Sequence, residues 1–393
     1  MSERLKERDW KSRSCRKVAL GFESLPLRFV LIGAAALLLA GCAAIPLEST
    51  TIPHPSSRVR AAVQHEYREA VGVIHIHSAY SDGQLPVDRI AKIGSAQGLD
   101  YLIFTDHDTL QGRRENKQGW HGKTLVLMDE EISTDGGHYL ALRVANEVPR
   151  LQNPRWTMEA VSAEGGLGFI AHPFWPRRPW VDPGIRGVTG VEIYSAVDDI
   201  GGKKILWLGP WLILTGSEFS ITNWLTRQKK ALEFWDRMLA RGDRVVGIGS
   251  PDAHGLRRWG LRLAPYATSF RLVRNHLLVK EISEAAIYDA LSKGHAFVAH
   301  DLVAEAKGFS FMAVEQNKVQ GIMGDSVKWR KGLKLYAYLP SPGNLVLFKD
   351  GKAAAKERGQ QIWFEVSGPG IYRIEANRDG KPWIYSNPIY VIE

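Results

Sequence analysis

Cysteine is nearly missing: among 393 residues only Cys15 and Cys42 carry a thiol. That excludes a multi-bridge disulfide scaffold and the cysteine-based zinc motifs. Long apolar runs are lacking too, and "FVLIGAAALLLA", Phe29 to Ala40, is a run of twelve, short for a membrane span. A strong charge of one sign is also wanting. The formal charge is +9, but residues 1–41 hold eight Lys/Arg against four Asp/Glu, which leaves +5 dispersed over the rest. So modest an excess argues against nucleic acid as the partner and for an ordinary solvated surface. Apolar residues make up 45%, enough for a sizeable core, and the length suits a barrel plus an accessory module.

The twelve-residue run follows a basic stretch and leads into Leu39-Ala40-Gly41-Cys42. A basic segment, a short apolar segment and small residues form the pattern of a secretory signal peptide. The last four residues resemble the lipobox of bacterial lipoproteins, with an uncleaved N-terminal anchor as the alternative. The resemblance implies that residues 1–41 are removed, that Cys42 carries lipid, and that no disulfide forms within the mature chain. The protein is then exported and held by its N-terminal lipid at an envelope membrane, facing the periplasm. Ala43, where an acidic residue would favour the inner membrane, tilts the expectation toward the outer one. Residues 42–70, which include "AAIPLESTTIPHPSSRVR", read as a tether.

Beyond the tether, short apolar runs alternate with helical patterns. The runs are 72–78, 100–108, 124–133, 137–144, 166–174, 190–196 and 244–255; the helical patterns start near Pro86, Thr157 and Gln228. This alternation predicts a parallel sheet closed into an α/β barrel over residues 71–305. The segment 201–225 is dense in Trp, Leu and Ile and reads as core packing, with a lid or a membrane-dipping segment as alternatives. From residue 306 to 393 short strands and two Asp-Gly turns, Asp350-Gly351 and Asp379-Gly380, predict a small all-β sandwich; it contains no histidine.

Chemistry-bearing residues gather where the runs end. In "GVIHIHSAYSDGQ", His75 and His77 point the same way if the strand alternates regularly, and Asp82 follows in a turn. His107 ends the second run, Glu131 the third, His138 opens the fourth, His172 ends the fifth, and Asp252 and His254 end the last. A barrel collects strand ends at one mouth, so scattered positions converge there. Six His, two Asp and one Glu suit Zn²⁺, Mn²⁺ or Fe²⁺ and are too many for one ion. Several close cations acidify water and stabilise charge on a substrate oxygen, which points to hydrolysis.

The order His-x-His, Asp, Thr-Asp-His-Asp, Glu-Ile-Ser, Gly-His, Ala-His-Pro and Asp-Ala-His resembles the polymerase and histidinol phosphatase (PHP) superfamily, over residues 72 to 300. The resemblance implies a distorted (β/α)7 barrel with a trinuclear metal centre. By it, His75, His77, Glu131 and Asp252 hold a first ion, Glu131, His138 and His172 a second, and Asp82, His107 and His254 a third. It implies a metal-dependent phosphoesterase that attacks small-molecule phosphate esters with a metal-bridging hydroxide. Asp82 or His254, or a metal-bound water, would protonate the leaving oxygen. Arg177, Arg178, Arg257 and Arg258 follow ligand-bearing turns and are candidates for phosphate contacts. The C-terminal part is similar to the accessory sandwich of exported members.

Some assignments stay open at this level. Glu130 is the fallback for Glu131; Asp106 and Asp108 are expected to orient His107 or cap its turn. Glu192, at a strand end in "GVEIYS", is either a base standing behind the metal ligands or a barrel-closing residue. His276, His295 and His300 are expected to be structural or exposed, and Trp120 and His121 to lie in a loop. The alternative functions are a hydrolase of carbamates or carboxylic esters on the same fold, and a noncatalytic envelope binding module.

Overall fold

A computed structural model describes residues 55–196, 222, 225–255, 257–258, 261–262 and 265–393. Residues 1–41, the expected signal segment, as well as Cys42 and nearly all of the stretch 201–225 lie outside the described residues. Seven strands form the barrel: β1 (Arg68–Ile76), β2 (Tyr101–His107), β3 (Thr124–Thr134), β4 (Gly137–Leu142), β5 (Leu167–Ala171), β6 (Gly190–Ser195) and β7 (Val246–Ser250). β1, β2 and β3 pair in parallel, as do β5, β6 and β7. The ring closes where Ala253, just past β7, bridges to Ile76 in parallel.

The expected all-parallel sheet is interrupted at one strand: β4 runs antiparallel to both β3 and β5. Only Asp135 and Gly136 separate β3 from β4. A connection so short cannot carry a crossover helix and must turn back as a hairpin. The barrel is filled by Ile74, Ile103, Leu127, Leu140, Phe169 and Ile248, one from each of six strands, all 0% exposed.

Helices cover the outside, with starts set by local chemistry. Helix α1 (Pro55–Glu66) precedes the barrel and α2 (Val87–Ala96) follows β1. Helix α3 (Pro154–Ala163) has Pro at its first turn and Asn153 accepting from the Arg155 amide. Helix α4 (Lys229–Ala240) buries Leu232, Trp235, Met238 and Leu239 along one stripe. After it come α5 (Tyr266–Leu272) and α6 (Glu284–Lys293); the latter is capped by Ser283 and ended by left-handed Gly294.

The tether expectation for residues 42–70 needs correction from Pro55 onward. That part is α1 and the start of β1, and Val59 and Val63 are buried in the core of the C-terminal β region. Burying two valines on one helical face is favourable by a few kcal/mol, about 25 cal/mol per Å² of apolar surface, so the segment does not stay extended.

Two strands, β8 (Arg274–Val279) and β9 (Ala296–Ala299), extend the barrel sheet antiparallel from β1. Eight more complete the all-β region: β10 (Ser310–Glu315), β11 (Lys318–Ile322), β12 (Ser326–Lys328), β13 (Lys334–Lys349), β14 (Lys352–Glu365), β15 (Gly370–Arg378), β16 (Lys381–Ser386) and β17 (Ile389–Ile392). Their pairing is antiparallel except for β12 with β17. Both Asp-Gly pairs sit at hairpin tips with positive φ at each residue, 51° and 74° then 51° and 77°, as a tight two-residue turn demands. β16 also pairs with β9, so one continuous sheet joins the β region to the barrel.

Candidate metal centre

All nine histidines and acids singled out from the sequence lie at one end of the barrel. His75 and His77 come from the end of β1, Asp82 from the loop after it, and His107 from the end of β2. Glu131 is on β3, His138 opens β4, His172 follows β5, and Asp252 and His254 follow β7.

Glu131 is the hub. Its Oε2 lies 3.1 Å from His75 Nε2, 3.2 Å from His77 Nε2 and 3.1 Å from His107 Nδ1. Its Oε1 lies 2.8 Å from His138 Nδ1 and 2.9 Å from His172 Nε2. Asp252 Oδ1 faces the first two imidazoles at 3.2 and 3.1 Å. On the solvent side Asp82 Oδ1 stands 3.2 Å from His254 Nε2, and Asp82 Oδ2 stands 3.9 Å from His107 Nε2.

His75 and His77 face the same cluster, but not by regular alternation. The β1–β2 register slips between Ile74 and Ile76, and His75 has a left-handed φ of 71°. His172 and Asp252 share that unusual backbone, at φ 23° and 46°. Such conformations cost of order 1–3 kcal/mol each and persist where surrounding contacts fix them. Several contacts do so here: Tyr266 Oη donates to the His77 carbonyl at 2.8 Å, the His77 amide donates to the Ala253 carbonyl at 3.0 Å, and the Ala253 amide donates to the His75 carbonyl at 3.2 Å across the seam. The Asp82 turn folds back tightly: a side chain at Gly83 would come within 2.2 Å of the His77 carbonyl, so only glycine fits.

Electrostatically the cluster is a mesh of opposed pulls. Burial alone would push the His75 imidazole down, but Glu131, Asp252 and Glu192 outweigh it and raise it well above its ordinary value. Burial likewise opposes His172 and His254, yet carboxylates hold each at about 9. Burial works to raise Glu131 and Asp252, and the imidazoles overcome it and keep both well below the carboxylate range. Asp82 falls to about 2 against a burial penalty, chiefly through His254. His107 is lowered, by burial first and then by neighbouring imidazoles.

The donor set fits divalent cations. Buried His75 Nε2, His77 Nε2, Glu131 Oε2, Asp252 Oδ1 and His107 Nδ1 have no hydrogen-bond partner, an arrangement costly to maintain unless something else binds them. Ligands about 2.0–2.2 Å from one tetrahedral ion stand roughly 3.3–3.5 Å apart. The first four atoms approach that spacing. Three groupings of donors can hold an ion: His75, His77, Glu131 and Asp252; His77, Asp82, His107 and His254; and His107, Glu131 and His138. His172 joins the third grouping's edge through Glu131.

Of the open assignments, Glu130 turns away and accepts from the Val148 amide at 2.8 Å. Asp106 does not touch His107; it accepts from the Ser78 amide and hydroxyl and from Ser81 Oγ, each at 2.7 Å, and so pins the loop carrying Asp82. Asp108 caps by accepting from the Ser133 amide. Glu192 is fully buried and bonds two candidate ligands, His75 and His172. His276, His295 and His300 are buried away from the cluster on Glu69, Asp325 and the Leu272 carbonyl. Trp120 is exposed, though on a short strand, Gly119–His121, rather than a loop.

Among the arginines, Arg178 is exposed at the rim with Nη1 3.2 Å from His138 Nε2, and Arg177 beside it is exposed. Arg257 and Arg258 form a small hairpin with Leu261–Arg262, and their side chains lie outside what is described. Trp175 was not anticipated: its ring flanks His172 at 5.2 Å and His138 at 6.1 Å, making one wall of the mouth. Its place three residues beyond His172 was the available signal.

No family model matches the chain. An uncharacterized protein of Methanocaldococcus jannaschii, MJ1587, is 27% identical over an alignment of 153 residues, and the match covers 34% of this chain and 90% of that protein. Among solved structures the chain is similar to a two-domain protein containing a predicted PHP-like metal-dependent phosphoesterase from Bacteroides vulgatus. That match has 14% identity and a TM-score of 0.41, and covers 82% of this chain and 96% of the other. It is also similar to an amidohydrolase from Chromobacterium violaceum with bound sulfate and no metal, at 14% identity and a TM-score of 0.29, covering 47% of this chain and 87% of that one.

Proposed function

We propose that this protein is a metal-dependent hydrolase that cleaves small-molecule phosphate esters, held at a bacterial envelope membrane by lipid on Cys42. The reading is carried by one observation: buried, unpartnered nitrogen and oxygen atoms of His75, His77, Glu131 and Asp252 converge at 3.1 to 3.2 Å. These four residues would hold one divalent ion, Mn²⁺, Zn²⁺ or Fe²⁺. Glu131, His138 and His172 would hold a second, and Asp82, His107 and His254 a third. Bound there, the ions supply an acidified water and charge neutralisation for the substrate's oxygens.

The chain's own residues divide the remaining work. Glu131 offers one oxygen to each side of the cluster and keeps the two sides in fixed relation. On the open side His254, held at about 9, is the group of this pair that can deliver a proton to the leaving oxygen, while Asp82, held at about 2, is already a carboxylate and orients the imidazole. Arg178 presents a guanidinium at the rim, suited to a phosphoryl group because its fork donates two parallel hydrogen bonds. The attachment to a membrane rests on the basic stretch, the apolar run to Ala40 and the small residues before Cys42.

The test is metal content together with a substrate panel. Purified protein reconstituted with Mn²⁺, Zn²⁺ or Fe²⁺ should bind at least two equivalents and release phosphate from one or more phosphate monoesters or nucleotides. Cleavage of aryl carbamates with no phosphate release under any metal would replace the phosphoesterase reading. Fewer than two bound equivalents would remove the multi-ion centre.

A further inference from the structure

We infer that Glu192 is a positioning residue that fixes the ring of His75 and the backbone of His172 for metal binding. This rests on the reading that the cluster holds divalent ions, and it assigns a role to a residue outside the nine donors. Glu192 lies on β6 and is 0% exposed. Its Oε1 meets His75 Nδ1 at 2.6 Å, and its Oε2 accepts from the His172 main-chain amide at 2.7 Å. Neither oxygen is left for an ion, and Glu192 is in none of the three donor groupings.

Two features make this more than a buried ion pair. A carboxylate only accepts, so His75 must carry a proton on Nδ1, which leaves Nε2 as the nitrogen that would turn a lone pair toward an ion shared with Glu131 and Asp252. Carboxylates behind ligating imidazoles fix the ring in this way and raise its basicity. The second feature is backbone: His75 and His172 both have positive φ, 71° and 23°. One rigid carboxylate thus holds the His172 amide, whose main chain would otherwise relax toward a commoner conformation, and at the same time the ring of His75.

Glu192→Gln separates positioning from packing, because the amide keeps the shape but has one oxygen and one NH₂. If the oxygen takes the His172 amide, the NH₂ faces His75 Nδ1, which must then be bare, and the proton moves to Nε2. If the amide turns over, His172 loses its acceptor. Zn²⁺ affinity should fall by about 10- to 100-fold in the full-length variant, measured by competition with a chromophoric chelator. The fold without metal, followed by circular dichroism, should persist. Zn²⁺ affinity within twofold of the parent protein would overturn the assignment. Should the variant not fold, the parent protein decides: in the Zn²⁺-loaded state, ¹⁵N spectra should show His75 with a protonated Nδ1 and a metal-bound Nε2. A proton on Nε2 would overturn it. Failure of the parent protein to bind Zn²⁺ would instead count against the metal centre itself.

Discussion

Glu130 and Glu131, neighbours on β3, send their carboxylates to opposite faces of the sheet. Glu131 meets five imidazole nitrogens in the barrel mouth, whereas Glu130 accepts from the Val148 amide behind it. Period-two alternation alone separates a cluster hub from a loop anchor. Glu131→Gln should therefore bind at least one fewer metal equivalent, by elemental analysis, and lose most hydrolytic activity. Glu130→Gln retains an acceptor for Val148 and should load metal like the parent. Equal loading of the two variants would contradict the division of roles.

That alternation also marks how far sequence reasoning reaches. The "EIS" register pointed to Glu131 over Glu130, and the residues at strand ends were expected to converge because a barrel has one C-terminal mouth. The reversal of β4 follows from a two-residue connection, yet the strand's burial and apolar content resemble those of its parallel neighbours. Glu192 could be read either as a partner of the site or as a closure residue, because its role depends on a contact 117 positions away in sequence. Asp106 is expected to orient His107 or cap its turn, but strand alternation directs it to Ser78 and Ser81 instead. Helix α1 is poorly legible in the sequence because its Pro, Ser and Arg content looks like linker, and what orders it is the burial of Val59 and Val63.

Arg178 supplies a test at the rim. Its side chain is exposed and meets the cluster at His138, so its removal should leave the fold and metal loading intact. Under the phosphoesterase reading, Arg178→Ala should raise KM for a phosphate monoester by about tenfold, the scale of one charge-assisted hydrogen bond. Arg178→Lys should recover only part of this, since an ammonium cannot offer two parallel donors. A KM unchanged in the alanine variant would remove Arg178 from substrate binding.

The joint between barrel and β region is an ionic knot on Arg373. This side chain is 1% exposed, donates to Asp236 on α4 at 2.8 and 2.7 Å and to Glu375 at 2.8 Å, and its guanidinium also lies over the Trp235 and Phe348 rings. Glu375 is shared with Arg227. Arg373→Ala leaves two largely buried carboxylates short of their counter-ion, which costs about 3–5 kcal/mol. A clear fall in the urea midpoint is expected, and a midpoint within error of the parent would show that the knot contributes nothing.

His276 gives the fold a pH dependence separate from the metal cluster. Its Nδ1 lies 2.6 Å from Glu69, its Nε2 lies 3.7 Å from Asp301, and its ring stacks on Phe297. Burial would lower its pKa, but the Asp301 and Glu69 carboxylates outweigh burial and raise it to about 9. In the unfolded chain an imidazole titrates near 6.5. Below that pH both states are protonated and the stabilisation is fully present; as the pH climbs through about 9 the folded protein loses the proton and the stabilisation goes. The contribution is at most about 3–4 kcal/mol, at 1.36 kcal/mol for each pH unit between 6.5 and about 9. Urea midpoints measured with chelator present, at pH 6 and pH 9.5, should fall more steeply with pH in the parent than in His276→Gln. Parallel pH profiles for the two proteins would mean that this imidazole titrates in the fold as it does in the unfolded chain.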